Sequence, residues 1–102
     1  MPKLITIYWR DIPAQVIGQQ GRQRIKQELD KRFAVAIDRA AMRAGKGSSD
    51  AYLSEWRRET SRCDADGELR QIAAGEVARL ESEFSDERLV ALIRNHGSAE
   101  GL

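Results

Sequence analysis

Two side chains in this sequence are suited to nucleophilic or metal chemistry, Cys63 and His96, and each is the only residue of its type. One thiol and one imidazole do not make a zinc site without carboxylates or a second chain. A Cys–His nucleophilic pair is formally available. Arg62 beside the thiol favours the thiolate, and Asp64 on its other side opposes it. His96 falls close to a segment expected to fray, where a base is poorly held. Its better role is to cap a helix. The residues therefore assign no catalytic group, no metal and no cofactor.

Arginines carry the remaining chemistry. Gly21, Arg22 and Arg24 surround an expected helix start, with Gly18 just before them. Free N–H groups and the helix dipole favour an anion there. Two guanidinium forks suit phosphate or carboxylate, and a bound anion would relieve the unfavourable placement of positive charge at that end. The alternative is that both arginines point into solvent. Tyr8 and Arg10 share one face of an expected strand, and Trp56, Arg57 and Arg58 form a second compact group. Aromatic and arginine side chains are enriched at interaction hot spots, so these five residues are the expected interaction surface. The competing reading is a core Trp56 with arginines paired to Glu55 and Glu59. Gly45–Ser49, GKGSS, resembles a phosphate loop but lacks a glycine at Ala40 and a hydroxyl at Gly47.

The elements that must position these groups follow from periodicity. Leu4–Trp9 alternates as a half-buried strand, with Ile5, Ile7 and Trp9 expected on the core face and Leu4, Thr6, Tyr8 and Arg10 opposite. Arg10–Pro13 supplies a turn and Ala14–Gln19 a second strand. Gly21 then leads into a long helix carrying Ile25, Leu29, Phe33, Ile37, Ala40 and Ala44, stopped at Gly45. Ser49 is expected to cap a short helix reaching about Glu55. Arg57–Cys63 is open between a third strand and an irregular return. Asp64–Gly67 reads as a turn, Leu69–Phe84 as an amphipathic helix, and Ser85 as the cap of a last helix ending at Gly97. The expected fold is α+β: a two- or three-stranded antiparallel sheet beginning with an N-terminal hairpin, and three to four helices on one face.

Composition bounds the rest. The 102 residues make one domain, expected over 1–97 with a frayed tail at 98–102. A net charge of +1 gives no strong overall field for a polyanion. That charge is unevenly spread. Arg22–Lys46 holds eight basic and three acidic residues, and Cys63–Leu102 four basic and nine acidic. The two halves either neutralise each other or leave a basic face for a partner. Nucleic-acid binding through the basic helix is not favoured, because its cations are dispersed and no nucleic-acid motif is present. A lone cysteine fits a reducing compartment, and no run reads as a leader or a bilayer span. The expected setting is cytoplasmic, with no membrane.

Two strings are specific enough to carry a likeness: ITIYWRDIPAQV (Ile5–Val16) and RFAVAIDRAAMRAGKGSSDAYLSEWRR (Arg32–Arg58). They resemble the short bacterial domain labelled virulence factor. The resemblance implies a setting near folate-linked and corrinoid-linked one-carbon transfer, and it carries no catalytic motif to any position here. The combined expectation is a small non-catalytic accessory domain that binds a protein partner. A small-ligand domain using the Gly21–Arg24 helix start is the alternative.

Overall fold

The structure is a computed structural model and describes residues 2–45, 49–62 and 67–102. The chain runs β1 (Lys3–Trp9), β2 (Ile12–Gln20), β3 (Gln23–Glu28), α1 (Lys31–Arg43), α2 (Ser49–Leu53), β4 (Trp56–Arg62), α3 (Leu69–Glu83) and α4 (Asp86–Arg94). The fold is α+β, with one antiparallel sheet in the order β3-β2-β1-β4. Lys46–Ser48 and Cys63–Asp66 lie outside the described residues, and with them the thiol, most of GKGSS and most of the expected turn before α3.

The sheet has four strands rather than two or three. Arg57–Cys63 resolves to a strand, Trp56–Arg62, paired antiparallel with β1. The other extra strand corrects the long helix expected from Gly21. Gly21 and Arg22 form a turn, and Gln23–Glu28 folds back on β2, with Gln20 opposite Gln23 and Gln15 opposite Glu28. Gly21 takes φ 59°, which a tight hairpin turn requires and which glycine adopts without penalty. The helix begins only at Lys31. Asp30 caps it, its carboxylate accepting the Lys31 N–H at 2.9 Å. Ile25 fits the helical spacing, yet the segment QRIKQE is a strand because its backbone groups complete the β2 ladder. Tertiary pairing overrides a helical preference of a few tenths of a kcal/mol per residue.

The face assignment in β1 is also corrected. A Cβ on Gly18 would stand 3.0 Å from Leu69 Cδ1 and 3.5 Å from Ala73, so α3 lies on the Gly18 side of β2. Leu4 pairs with Gly18 and Thr6 with Val16. Leu4, Thr6 and Val16 are all buried, and they form the sheet's contribution under α3. Ile5 and Ile7 therefore point away from α3. A bulge explains why Trp9 is nonetheless core. The β1–β2 register shifts between Ile7 and Tyr8, leaving Ala14 as the extra residue. Beyond it Ile12 faces Trp9, so Ile12 and Val16, four apart in one strand, serve opposite sides. Trp9 and Ile12 are fully buried beneath α1, α2 and the end of α4.

Around Trp9 the packing is specific. Its indole N–H donates to Tyr52 O at 3.0 Å, and its ring stacks on Tyr52 with centroids 6.0 Å apart. Phe33 meets Phe84 edge to face at 6.1 Å, joining α1 to the end of α3. Arg32 donates to the carbonyls of Glu81 (2.6 Å) and Phe84 and so satisfies the C-terminal end of α3. Ser85 Oγ accepts the Arg88 N–H, the expected cap of α4. Beyond α4, Asn95 Nδ2 donates to Ser98 O and Glu100 O, and Ala99 N donates to Asp11.

Gly97 closes the core. It takes φ 87°, and a Cβ there would lie 2.8 Å from Trp9 Cζ3. Gly97→Ala is therefore expected to cost about 2–4 kcal/mol, from left-handed backbone strain and overpacking. Gly75, inside α3, meets nothing within 4 Å, and Gly75→Ala is expected to add about 0.5–1 kcal/mol. Urea denaturation of both variants checks the pair. Equal midpoints would mean that Trp9 does not rest on Gly97.

Candidate functional site

Strand alternation gives the sheet a second face, turned away from α3. Pairing register places its residues in three rows across the four strands. Arg24, Gln19, Lys3 and Arg62 make the first row, Lys26, Ile17, Ile5 and Thr60 the second, and Glu28, Gln15, Ile7 and Arg58 the third. A fourth row, Trp9 with Trp56, is covered by the core around α1 and α2. The three upper rows are flanked by exposed side chains: Lys3, Arg24, Lys26, Arg58, Thr60 and Arg62 are all exposed. Ile5 and Ile17 are each 7% exposed and stand outside the main core cluster.

This face holds five cations and one carboxylate in a chain whose net charge is +1. The carboxylate, Glu28, sits 3.7 Å from Lys26. The side chains of Lys3, Arg24, Arg58 and Arg62 make no ion pair or hydrogen bond to a described residue. Neighbouring strands are about 5 Å apart, and same-face residues along a strand about 7 Å. Lys3, Arg24, Lys26 and Arg62 therefore each lie within about one Debye length of another cation, while Arg58 stands about 13 Å from Arg62 along β4. The group spans three strand spacings and four residues of β4 without converging on a point. The charge is spread along the sheet rather than gathered into a socket for a single anion.

The five expected interaction residues divide between the two faces. Trp56 and Arg58 border the open face, where with Ile7 and Arg57 they line a shallow hollow of about 210 Å³. Trp56 is half-buried and packs edge-on against Tyr52 at 5.8 Å. Tyr8 and Arg57 lie on the α3 side. The Arg57 guanidinium covers the Tyr8 ring at 4.4 Å and donates to Arg10 O (2.7 Å), Asp11 (3.0 Å) and Glu59 (2.5 Å). Burial raises the Tyr8 phenol above its ordinary value, and the Glu59 carboxylate adds to the rise.

Arg10 is a structural residue. It occupies the β1–β2 turn at φ 54°. Its N–H donates to Glu55 O at 3.1 Å, and its guanidinium donates to His96 O at 2.9 Å and to Glu55 Oε1 at 3.3 Å. His96 takes φ 62° just beyond α4, and its carbonyl is the group that holds Arg10.

The expected anion site loses its premise. No helix starts at Gly21–Arg24, so no dipole or unpaired helical N–H groups converge there. Gly21 and Arg22 are an exposed turn, and Arg24 joins the open face. The basic helix is likewise divided: Arg24 and Lys26 belong to β3, while Arg32 is occupied at the end of α3. Lys3, Ile7, Lys26, Thr60 and Arg62 were missed as a surface. Their signal was the two-residue spacing of Arg24 and Lys26, and of Arg58, Thr60 and Arg62. Among the described residues no cluster of His, Cys, Asp and Glu could hold a metal ion, and no helix is long and apolar enough to cross a membrane.

A family model described as Virulence factor matches residues 7–93. No curated protein and no solved structure matches the chain.

Two outcomes test these assignments. Arg10→Ala is expected to destabilise the fold by roughly 1–3 kcal/mol through its lost charge-assisted bonds, whereas Arg58→Ala is expected to stay within about 0.5 kcal/mol; thermal melts compare them. The phenol of Tyr8 has a higher pKa folded than unfolded, so the folded state keeps its proton longer. The stability this gives is full below about pH 10 and is lost as pH rises through the folded value. Tyr8→Phe is expected to flatten that alkaline decline. An unchanged decline would place the titration elsewhere.

Proposed function

The chain belongs to the virulence factor family, and we propose that it acts as a non-catalytic interaction domain, an accessory unit of a bacterial enzyme system. The observation that carries this reading is the uncovered sheet face, where Lys3, Arg24, Arg58 and Arg62 have no partner among the described residues. Helices bury one face of the sheet and supply the core. On the other, charge is gathered from three strands that are distant in sequence. A partner with an acidic surface gains from all of these cations at once, and electrostatic matching of this kind steers encounter and sets specificity. Arg58 and Trp56 remain from the expected interaction surface, while Arg10 and Arg57 hold the scaffold behind them. The one-carbon setting rests on the sequence resemblance alone.

Affinity capture from a bacterial host lysate tests the face. The tagged chain is compared with R58E/R62E and with R43E/R94E, a charge-matched control on α1 and α4. All four side chains are exposed, and circular dichroism checks that each variant is folded. A stoichiometric protein partner lost from R58E/R62E and kept by R43E/R94E is the expected result. Partners kept by both variants would remove the open face as the docking surface.

A further inference from the structure

Among the described residues strand β4 is an edge of the sheet: β1 lies on one side and no strand on the other. The phase of its hydrogen bonding is set by one contact just beyond the ladder. Arg10 N donates to Glu55 O at 3.1 Å, which makes Arg10–Glu55 a hydrogen-bonded pair. In an antiparallel ladder such pairs alternate. Tyr8–Arg57, Thr6–Glu59 and Leu4–Ser61 therefore exchange bonds across the β1–β4 register. The N–H and C=O groups of Trp56, Arg58, Thr60 and Arg62 point outward. No described residue bonds to them there. Arg58, Thr60 and Arg62 place their side chains on the open face, with the half-buried Trp56 at its border, so backbone groups and cations are offered along one line. Arg58 and Arg62 stand about 13 Å apart on it.

We propose that this edge accepts an extended acidic segment of a partner protein, added antiparallel to β4 as a fifth strand. The proposal rests on the open-face reading above and names the chemistry of the partner. Main-chain bonds supply affinity, and alternate side chains supply selection. The segment carries acidic residues opposite Arg62 and Arg58, four apart. A β-branched residue lies between them opposite Thr60, and an apolar residue opposite Trp56 follows two positions after the second acid.

Charge argues against a second copy of the chain as the occupant. In a symmetric antiparallel β4–β4 pair the outward residues face one another. Each central register opposes like charges: Arg57 to itself, Arg58 to itself, Glu59 to itself, or Arg58 to Arg62; the register centred on Arg58 also sets Arg57 opposite Glu59, but each chain already pairs these two within itself. Charged edges of this kind prevent self-association, and here they leave an acidic strand as the favoured complement. A nucleic acid strand is the weaker fit. It cannot complete a β-ladder, and the one aromatic beside the cations, Trp56, is packed against Tyr52 rather than free to stack on a base.

The probe is a capped seven-residue peptide with glutamate at its first and fifth positions, valine at the third and leucine at the seventh, and neutral polar residues between. Binding to the full chain is followed by amide NMR. The expected result is saturable binding, with new exchange protection at the amides of Arg58, Thr60 and Arg62 and little change at Arg57 and Glu59. Backbone N-methylation of the peptide at the residues opposite Arg58 and Thr60 is expected to weaken binding at least tenfold, and so is R58E/R62E in the chain. Binding that tolerates N-methylation would overturn strand addition while leaving the cationic face intact. Tighter binding of a single-stranded oligonucleotide than of the peptide would overturn it in favour of a polyphosphate ligand. If the peptide fails while lysate capture still depends on Arg58 and Arg62, the docking face stands and the fifth strand does not.

Discussion

At Arg10 the backbone takes φ 54°, a conformation that costs an L-residue roughly 1–2 kcal/mol, and the surrounding structure is arranged to hold it there. Its N–H is tied to Glu55, its carbonyl accepts Arg57 Nε, and its guanidinium is fixed by His96 O and Glu55. The next residue completes the hold. Asp11 N donates to Gly97 O, and its two carboxylate oxygens take Arg57 and the Ala99 N–H. A two-residue turn thus binds β1, β2, β4 and the end of α4 to one place. Such strain persists only where several contacts over-determine it. Here they also fix Trp9 against Gly97 and set the hydrogen-bonding phase of β4. The outward line of Trp56, Arg58, Thr60 and Arg62 follows from that phase.

The same constraint divides labour among the arginines. Arg10, Arg32 and Arg57 are spent on carbonyls and carboxylates within the fold. Arg58 and Arg62, one strand alternation away from Arg57, are left to solvent. Side-chain alternation places Arg57 and Arg58 on opposite sides of one strand, so neighbours of identical chemistry have unrelated roles. The asymmetry of the sheet follows in turn. Gly18 lets Leu69 approach β2 closely, α3 covers that face, and the acidic second half of the chain stays with the helices. The cations of β1, β3 and β4 collect on the other side.

Much of this was legible in the sequence. The alternation of Leu4–Trp9, the burial of Trp9, the helices after Gly67 and Ser85, and the stops at Gly45 and Gly97 all rest on local signals, and the structure contains them. What was not legible was non-local. QRIKQE has one apolar residue and could follow either period; only the vacant edge of β2 makes it a strand. Gly21 with Arg22 could have been read as a tight turn, and Asp30 as the cap that starts α1. The face of β1 was misassigned because both of its sides are partly buried, one by α3 and the other by neighbouring side chains and, at Trp9, by α1. The bulge at Ala14 lets one strand serve both sides, and simple alternation has no means of anticipating it. The site was half-visible. Trp56 and Arg58 were singled out, and Arg24 for a different role, but these and Lys3, Lys26 and Arg62 gather on one face only when strands far apart in sequence pair.

The seat of Trp9 on Gly97 carries a consequence for how the chain acquires its structure. The indole belongs to the first strand, and the residue that closes over it lies 88 positions later. Contacts of such separation must bear the entropy of closing a long loop before they are rewarded. During synthesis the N-terminal hairpin can form early, but the cover of its largest side chain, begun by Tyr52, is complete only once the residues after α4 have left the ribosome. A truncation before residue 97 is expected to remove the backbone that closes over Trp9 and to leave its cover to α1 and α2 alone.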